Sequence, residues 1–489
     1  MPDPWDAVIV GGGLAGLTCA ALLGKAGCRA VLLEKNRRPG GYAVSYKTRG
    51  YRFDVAVQAL GGCGEGGAVS RLLRDLGREE QVRFLRCEPA RAYYFPAESE
   101  AWIQPGDREA AFQALGARFP GHGRALERCR EVWTGLFEEL ERIPREAPGS
   151  GPFGFSRSFP LLSRYGGTTL GEFLDELDLP GAARERLTAR AGYCMLPPSR
   201  LSLVGFACME ATYGGGAWLV QGGVERLTRA LATAASERGV SVETGAKAVS
   251  ILTGSGRVRG VALRDGRVVR ARNVVVASAA RPALEGMLDA PELLPGRYAA
   301  RLAGMEATGS YYTAFFRAPQ GAVEGLFPNV EVRIGSGGGE GPPEAFYLLI
   351  PSLIDPSAAP PGFHSVCLSL PCHGPPVRGP VAREALRVRL LEEAERRFPG
   401  LTERLGFLFD MGPGQYEAVT GNSGGSAYGW AQVPEQSGIR RLNVRTPVPG
   451  LYLAGHWTMP GGGIAGVVTS GRLAAESLLR DGAPGRKQT

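Results

Sequence analysis

The sequence predicts an α/β fold whose main sheet is of the parallel, dinucleotide-binding kind. That sheet is assembled from separated pieces of chain, with an α+β part inserted between them. Three observations predict it. The chain opens on DAVIVGGGLAGLTCA at 6–20, a strand, a glycine turn and a helix. It nearly closes on LAGHWTMPGGGIAGVVTSG at 453–471, the same three elements in the same order. Between them, WLVQGGVERLTRALATAASERGVSVETGA at 218–246 again reads as strand, glycine turn, helix and strand.

The elements follow in order. Asp6 to Val10 is a short apolar run of the type that is buried on both faces of a parallel sheet. Gly11-Gly12-Gly13 is the turn, residues 14–26 are a helix of small and apolar residues closed by Gly27, and RAVLLE at 29–34 is the second strand. From about 69 to 214 helical patterns dominate, with aromatics on the connections (Tyr93, Tyr94, Phe95, Phe153, Phe155, Phe159). After the 218–246 unit, residues 249–278 read as a meander of alternating valines. Its turns fall at Gly254-Ser255-Gly256 and Asp265-Gly266. Residues 289 to about 424 are mixed and proline-rich, and GGGEGPP at 337–343 is expected to be a mobile loop. This predicts one domain from 1–68, 215–288 and 425–489, and a second, substrate-binding domain from 69–214 and 289–424.

Composition excludes several classes. The chain of 489 residues is 44% apolar and 21% charged, as in soluble globular proteins. Net charge is +8, carried almost wholly by arginine. That suits a solvated surface or a face for phosphates and anionic headgroups. No basic run is interleaved with aromatics, so nucleic acid is not an expected partner. The nine cysteines are scattered without a C-x-x-C, as expected of free thiols in a reducing compartment. The four histidines show no metal-ligand spacing, so no metal is expected. No leader is read before the first strand. The longest apolar stretch, AFYLLIPSLI at 345–354, is far short of the roughly 20 residues of a membrane span. A cytoplasmic protein is expected, resting at most on the inner face of a membrane.

Gly11, Gly13 and Gly16 fit G-x-G-x-x-G, and each has its own reason. Gly11 permits the sharp turn, Gly13 lets backbone approach a pyrophosphate, and Gly16 lets the helix pack on the strand. Leu14 and Ala15 open that helix. Its free N–H groups carry about half a unit of positive charge toward the phosphates. Glu34 ends the second strand 18 residues after Gly16, where a carboxylate accepts ribose hydroxyls and repels a 2′-phosphate. That favours FAD or NAD over NADP. A second match, GCGEGG at 62–67, lies too close to the first and follows a strand carrying Asp54 and Gln58. It is read as an entry into the second domain.

Downstream of Glu34 and Lys35, the pair Gly40-Gly41 sits in VLLEKNRRPGG. With GYRFDV, MLPPSRLSLVGFA, the 218–246 segment and GLYLAGHWTMPGGGIAGVVTSGRLAAESLL, this chain resembles one flavoprotein superfamily, the amine oxidases and carotene desaturases. Within it, the chain resembles the branch of phytoene desaturases, carotenoid isomerases and retinol saturases. The resemblance implies a Rossmann-type FAD-binding domain of the glutathione reductase/amine oxidase kind. It also implies that Gly40-Gly41 runs along the FAD diphosphate and that Ala248 meets the adenine. Gly455 would approach the pyrophosphate and ribityl, and the turn ending at Gly463 would aim the last helix, from Ile464, at the flavin ring. The chain departs from the family pattern twice: Tyr42 stands where relatives often carry arginine, and His456 where many carry an acid.

In such enzymes the flavin carries the hydride chemistry. That agrees with a sequence offering no G-x-S-x-G and no obvious acid–base pair, and it leaves the catalytic residue unassigned, with His456 a candidate for tuning flavin or substrate. The expected substrate is a long apolar polyene or isoprenoid, undergoing carotenoid-type desaturation, isomerisation or saturation. Candidate pocket segments are 153–163, 201–213 and 345–354. The alternative is an FAD-dependent amine or small-molecule oxidase, which predicts a compact aromatic cage; Trp218 and Trp457 are the tryptophans near the glycine motifs. A lipid carrier keeping the fold without catalysis is a third reading.

Overall fold

The computed structural model describes residues 3–96, 98–146, 152–335, 344–374 and 377–482. The GGGEGPP segment expected to be a mobile loop lies outside them. Five strands run parallel in one sheet, in the order Ser241–Thr244, Ala30–Glu34, Trp5–Val10, Val268–Val276 and Leu451–Leu453. Three stretches far apart in sequence thus meet edge to edge. Val8, Ile9, Leu32 and Val275 are fully buried, because both faces of the sheet are covered. One face carries the helices Leu14–Lys25, Glu225–Ser236 and Ile464–Arg480. The other carries the meander Ala248–Gly254 and Arg257–Leu263, which pairs antiparallel with the first half of Val268–Val276.

The first and last helices cross closely. A Cβ on Gly471 would lie 2.3 Å from the Ala15 carbonyl oxygen, so only glycine permits this approach. The crossing brings the Gly463 turn beside the first glycine loop.

One element differs from the sequence reading. Trp218–Val220 does not join the parallel sheet; it pairs antiparallel with Phe84–Arg86 in a separate two-stranded sheet. The turn Gly222-Gly223, with φ of +81° and +93°, swings the chain under Asp54. The Asp54 carboxylate accepts from the Val224 N–H at 3.0 Å and so holds the start of the next helix. Only that helix and Ser241–Thr244 reach the parallel sheet. The GCGEGG stretch forms no second dinucleotide unit. It is a turn pressed on the last helix, where a Cβ on Gly62 would lie 2.7 Å from Ala465 Cβ.

A second sheet has the order Gly406–Met411, Ser310–Pro319, Phe363–Cys372, Ala345–Leu349, Asn329–Arg333, Arg91–Tyr94 and Trp102–Gln104. Its Asn329–Arg333 and Arg91–Tyr94 neighbours are parallel, and the other pairs antiparallel. Side chains alternate in direction along a strand. Tyr312, Ala314, Phe316, Phe346, Leu348, Val366 and Leu368 therefore form a core with Leu390 and Ala394 of the helix Pro380–Arg397. Their neighbours in sequence point the other way, toward the first sheet. Helices between 108 and 213 pack around Phe159, Phe173 and Phe206. Among the described residues no helix is long and apolar enough to cross a membrane.

Candidate cofactor and substrate site

The first strand delivers the chain into Gly11 at φ +111°, where a Cβ would lie 2.6 Å from the Ala277 carbonyl oxygen. Gly13 is the opposite case: a Cβ there would meet nothing within 4 Å. It borders open space at the start of a 12-residue helix whose first amides have no helical partner. Backbone laid bare at a helix N-terminus is a cradle for a phosphate group. Gly16 lies beneath this cradle, where a Cβ would be 2.0 Å from the Gly11 carbonyl oxygen.

Glu34 is buried beside the loop and braces it. Its Oε2 accepts from the Gly12 N–H at 2.7 Å, and its Oε1 accepts from the Asn36 backbone and side chain at 2.8 and 2.7 Å. The Gly40 N–H donates to the Gly12 carbonyl at 2.7 Å. The pair Gly40-Gly41 therefore runs alongside the first loop, with a Cβ on Gly41 only 3.3 Å from Gly13 Cα. Lys35 donates to the Ala418 carbonyl at 3.0 Å, and burial lowers its ammonium despite the charge of Glu34. Tyr42 shares its hydroxyl proton between the carbonyls of Gly425 and Ser426, at 3.0 and 2.9 Å.

The C-terminal return makes the adjoining wall. The Gly455 N–H donates to Ser470 Oγ at 2.9 Å. Gly463, at φ +80°, precedes the last helix, and a Cβ there would also meet open space. His456 is buried between the rings of Tyr42 and Trp457, with centroids 6.1 and 5.1 Å away. Burial, and then the charge of Arg441, push its imidazole down to about 3, so it is neutral.

All these walls face one cavity of about 610 Å³. Of the residues that sequence reasoning proposes for FAD, Gly11, Gly13, Leu14, Ala15, Glu34, Lys35, Gly40, Gly41, Ala248, Gly455, His456, Gly463 and Ile464 all line it. Gly16 does not, because its part is packing the helix on the strand. The residues fit an extended dinucleotide: a bare glycine cradle, a carboxylate and two further glycine turns share one wall.

The rest of the cavity is only partly legible in the sequence: the candidate segments 201–213 and 345–354 hold Tyr213 and Tyr347, whereas Tyr193, Tyr311 and Tyr428 lie outside them. Tyr193, Tyr213, Tyr311, Tyr347 and Tyr428 line it, roofed by the second sheet. Tyr193 and Tyr213 stack at 5.1 Å, and Tyr311 meets Tyr347 edge-on at 6.0 Å and Tyr428 at 6.4 Å. Gln58 donates to Ser369 Oγ at 2.9 Å, which also meets Thr313 Oγ1 at 2.9 Å. Alternation along Ser310–Pro319 and Ala345–Leu349 was the available signal. The apolar candidates were a poorer guide. From 345–354 Tyr347 and Leu349 reach the cavity, from 201–213 Tyr213 does, and no described residue of 153–163 does. Phe159 and Leu162 belong to the helical core instead. Trp457 lines the cavity and Trp218 does not. Asp54 lines it too, but its carboxylate is taken by Ser45 Oγ at 2.6 Å and Val224.

Comparisons with known proteins agree with this geometry. The family model described as flavin containing amine oxidoreductase matches residues 14–479. A hydroxyneurosporene desaturase of Cereibacter sphaeroides is 27% identical over 97% of this chain and 97% of its own. A lycopene-forming phytoene desaturase of Pseudescherichia vulneris is 25% identical over 97% of this chain and 99% of its own. Among solved structures, putrescine oxidase bound to putrescine superposes with a TM-score of 0.66 at 17% identity, over 98% of this chain and 99% of that one.

Proposed function

The chain belongs to the flavin-containing amine oxidoreductase family and is an FAD-dependent oxidoreductase; from that premise we propose that it acts on C–C or C=C bonds of a long apolar polyene or isoprenoid. The observation that carries the reading is the full-length similarity to carotenoid desaturases. The cavity agrees, since it joins a dinucleotide cradle to an aromatic-lined compartment in which Asp54 is already engaged structurally.

Bound FAD would supply the ring that takes or gives a hydride. The chain's own residues then have definite tasks. Gly11, Gly13 and the start of the first helix hold the diphosphate, with Gly40-Gly41 alongside. Glu34 accepts ribose hydroxyls through lone pairs left over from Gly12 and Asn36. Lys35, Leu14, Ala15, Ala248, Gly455 and His456 complete the cofactor wall. The amides after Gly463 stabilise negative charge on the ring edge that they meet. The sheet strands exclude water over the reacting carbon. On this reading residues 1–68, 215–288 and 425–489 carry the cofactor, while 69–214 and 289–424 carry the substrate. A polyene dissolves in lipid, so the protein works against the inner face of a membrane from the cytoplasm.

One observation favours a second reading. The five tyrosines that line the cavity form a compact aromatic cluster of the kind an amine or small-molecule oxidase uses. The test is anaerobic spectroscopy of the purified flavoprotein. Bleaching of the flavin by phytoene in liposomes supports desaturation, and conversion of a poly-cis carotene after chemical reduction supports isomerisation. Bleaching by amines alone transfers the assignment to the second reading.

A further inference from the structure

Behind the tyrosine cluster lies a buried charge network. Arg91, 2% exposed, donates to Glu331 at 3.0 Å. Arg333 lies 2.8 Å from the other oxygen of Glu331, and Arg190 donates to Glu210 at 2.7 Å. Three guanidiniums therefore face two carboxylates, leaving net positive charge. Among the described residues Arg91 Nε and Nη2 have no hydrogen-bond partner. Its guanidinium lies 4.6 Å from the centroid of Tyr193 and 5.2 Å from that of Tyr347, and Arg190 lies 5.6 Å from that of Tyr213.

This placement sets what the tyrosines can recognise. An aromatic cage holds an ammonium by the negative faces of its rings. Here three of the five rings already spend that capacity on arginine, and the network's net charge repels another cation. A cation against a phenol ring also withdraws electron density, which makes the hydroxyl a better donor and a poorer acceptor. Among the described residues the hydroxyls of Tyr193 and Tyr347 have no hydrogen-bond partner, whereas that of Tyr213 donates to the Ala59 carbonyl at 3.1 Å. Tyr347 is 3% exposed and lines the cavity. A hydrocarbon packed on it would leave a desolvated donor unpaired.

Resting on the polyene or isoprenoid reading above, we propose that the substrate is an oxygenated isoprenoid. Its carbonyl or hydroxyl oxygen accepts hydrogen bonds from Tyr347 and Tyr193, and the compartment rejects ammonium groups. The test uses matched probes on the holoprotein, read by perturbation of the bound flavin's visible spectrum: farnesylacetone, farnesene and farnesylamine. Farnesylacetone is expected to bind at least tenfold more tightly than either of the others. Tyr347→Phe and Tyr193→Phe remove only an oxygen each, and are expected to bring farnesylacetone toward the farnesene value. Equal binding of farnesene and farnesylacetone, or no effect of either variant, overturns the proposal and leaves the isoprenoid reading standing. Tightest binding of farnesylamine, or binding of none of the three, overturns both.

Discussion

The guanidinium of Arg441 donates to the carbonyl oxygen of His456 at 2.6 Å, from a side chain that is 1% exposed. It also donates to the carbonyls of Trp430, Gln436 and Thr458 at 3.0, 3.3 and 3.1 Å, and among the described residues it pairs with no carboxylate. Burial pulls it down to about 9, which still leaves it charged at neutral pH. Four carbonyl dipoles take the place of a counter-ion, and one of them belongs to His456, which lines the cavity.

Arg441→Met should therefore strip several buried carbonyls of their donor at once. Each buried acceptor left unsatisfied costs about 1–3 kcal/mol, and removing a buried charge that has no carboxylate partner offsets part of this, so a net loss on the order of 3 kcal/mol is expected. Arg441→Lys keeps the charge but cannot reach four acceptors with one compact ammonium, so an intermediate loss is expected. Urea unfolding of both variants, with FAD retention on gel filtration, checks the order. A Met variant as stable as the parent would show that the clamp contributes little.

Gly13 and Gly16 should separate binding from folding. A Cβ on Gly13 meets open cavity, and one on Gly16 collides with backbone at 2.0 Å. Gly13→Ala is expected to leave the apoprotein's thermal stability unchanged while weakening FAD at least tenfold. Gly16→Ala is expected to destabilise the apoprotein itself, by about 1–3 kcal/mol of overpacking. Calorimetry of the apo forms and FAD titration distinguish the two. Equal effects on both quantities would overturn the separation.

Those glycines mark what was legible in the sequence. A turn that needs φ > 0 or a bare backbone admits essentially one residue type, so Gly11, Gly13, Gly40 and Gly463 announce themselves. An arginine held by carbonyls does not, because its partners are backbone groups that any residue supplies. The tyrosine compartment was hidden for another reason. Tyr193, Tyr311, Tyr347 and Tyr428 come from different strands and loops, and only the register of Ser310–Pro319 with Phe363–Cys372, and of that strand with Ala345–Leu349, brings two of them together. Trp218 misled because a short apolar run before a glycine turn looks alike whether it joins a parallel sheet or pairs antiparallel with a distant strand such as Phe84–Arg86.

Glu34 should prove to hold the loop as well as the cofactor. Its carboxylate accepts from Gly12 and twice from Asn36. Glu34→Gln places an amide donor against one of those donors and removes the charge that strengthens the others. Hydrogen bonds to a charged group contribute about 1.5–3 kcal/mol each. A ten- to hundredfold weaker FAD affinity is expected on the order of that loss. Fluorescence titration of the apoprotein measures it, and an unchanged affinity would place the ribose elsewhere.

His456 gives the pH dependence its sign. Its folded-state value, near 3, lies below the ordinary 6.5 of an imidazole. Between those values the unfolded chain takes up a proton that the native state refuses. Stability from this residue is therefore complete above about pH 6.5 and falls as the pH is lowered toward 3, by about 1.4 kcal/mol per unit. Asp54 acts in the opposite sense. Burial raises its carboxyl to about 6, so the native state gains as pH falls from there toward 4. Total stability can then look flat, and only the difference between variants isolates one group. His456→Gln, which cannot protonate, should lose roughly 2 kcal/mol less than the parent between pH 7 and pH 5 in urea unfolding. Parallel pH profiles of variant and parent would mean that the imidazole takes up its proton in the folded protein as readily as in the unfolded chain.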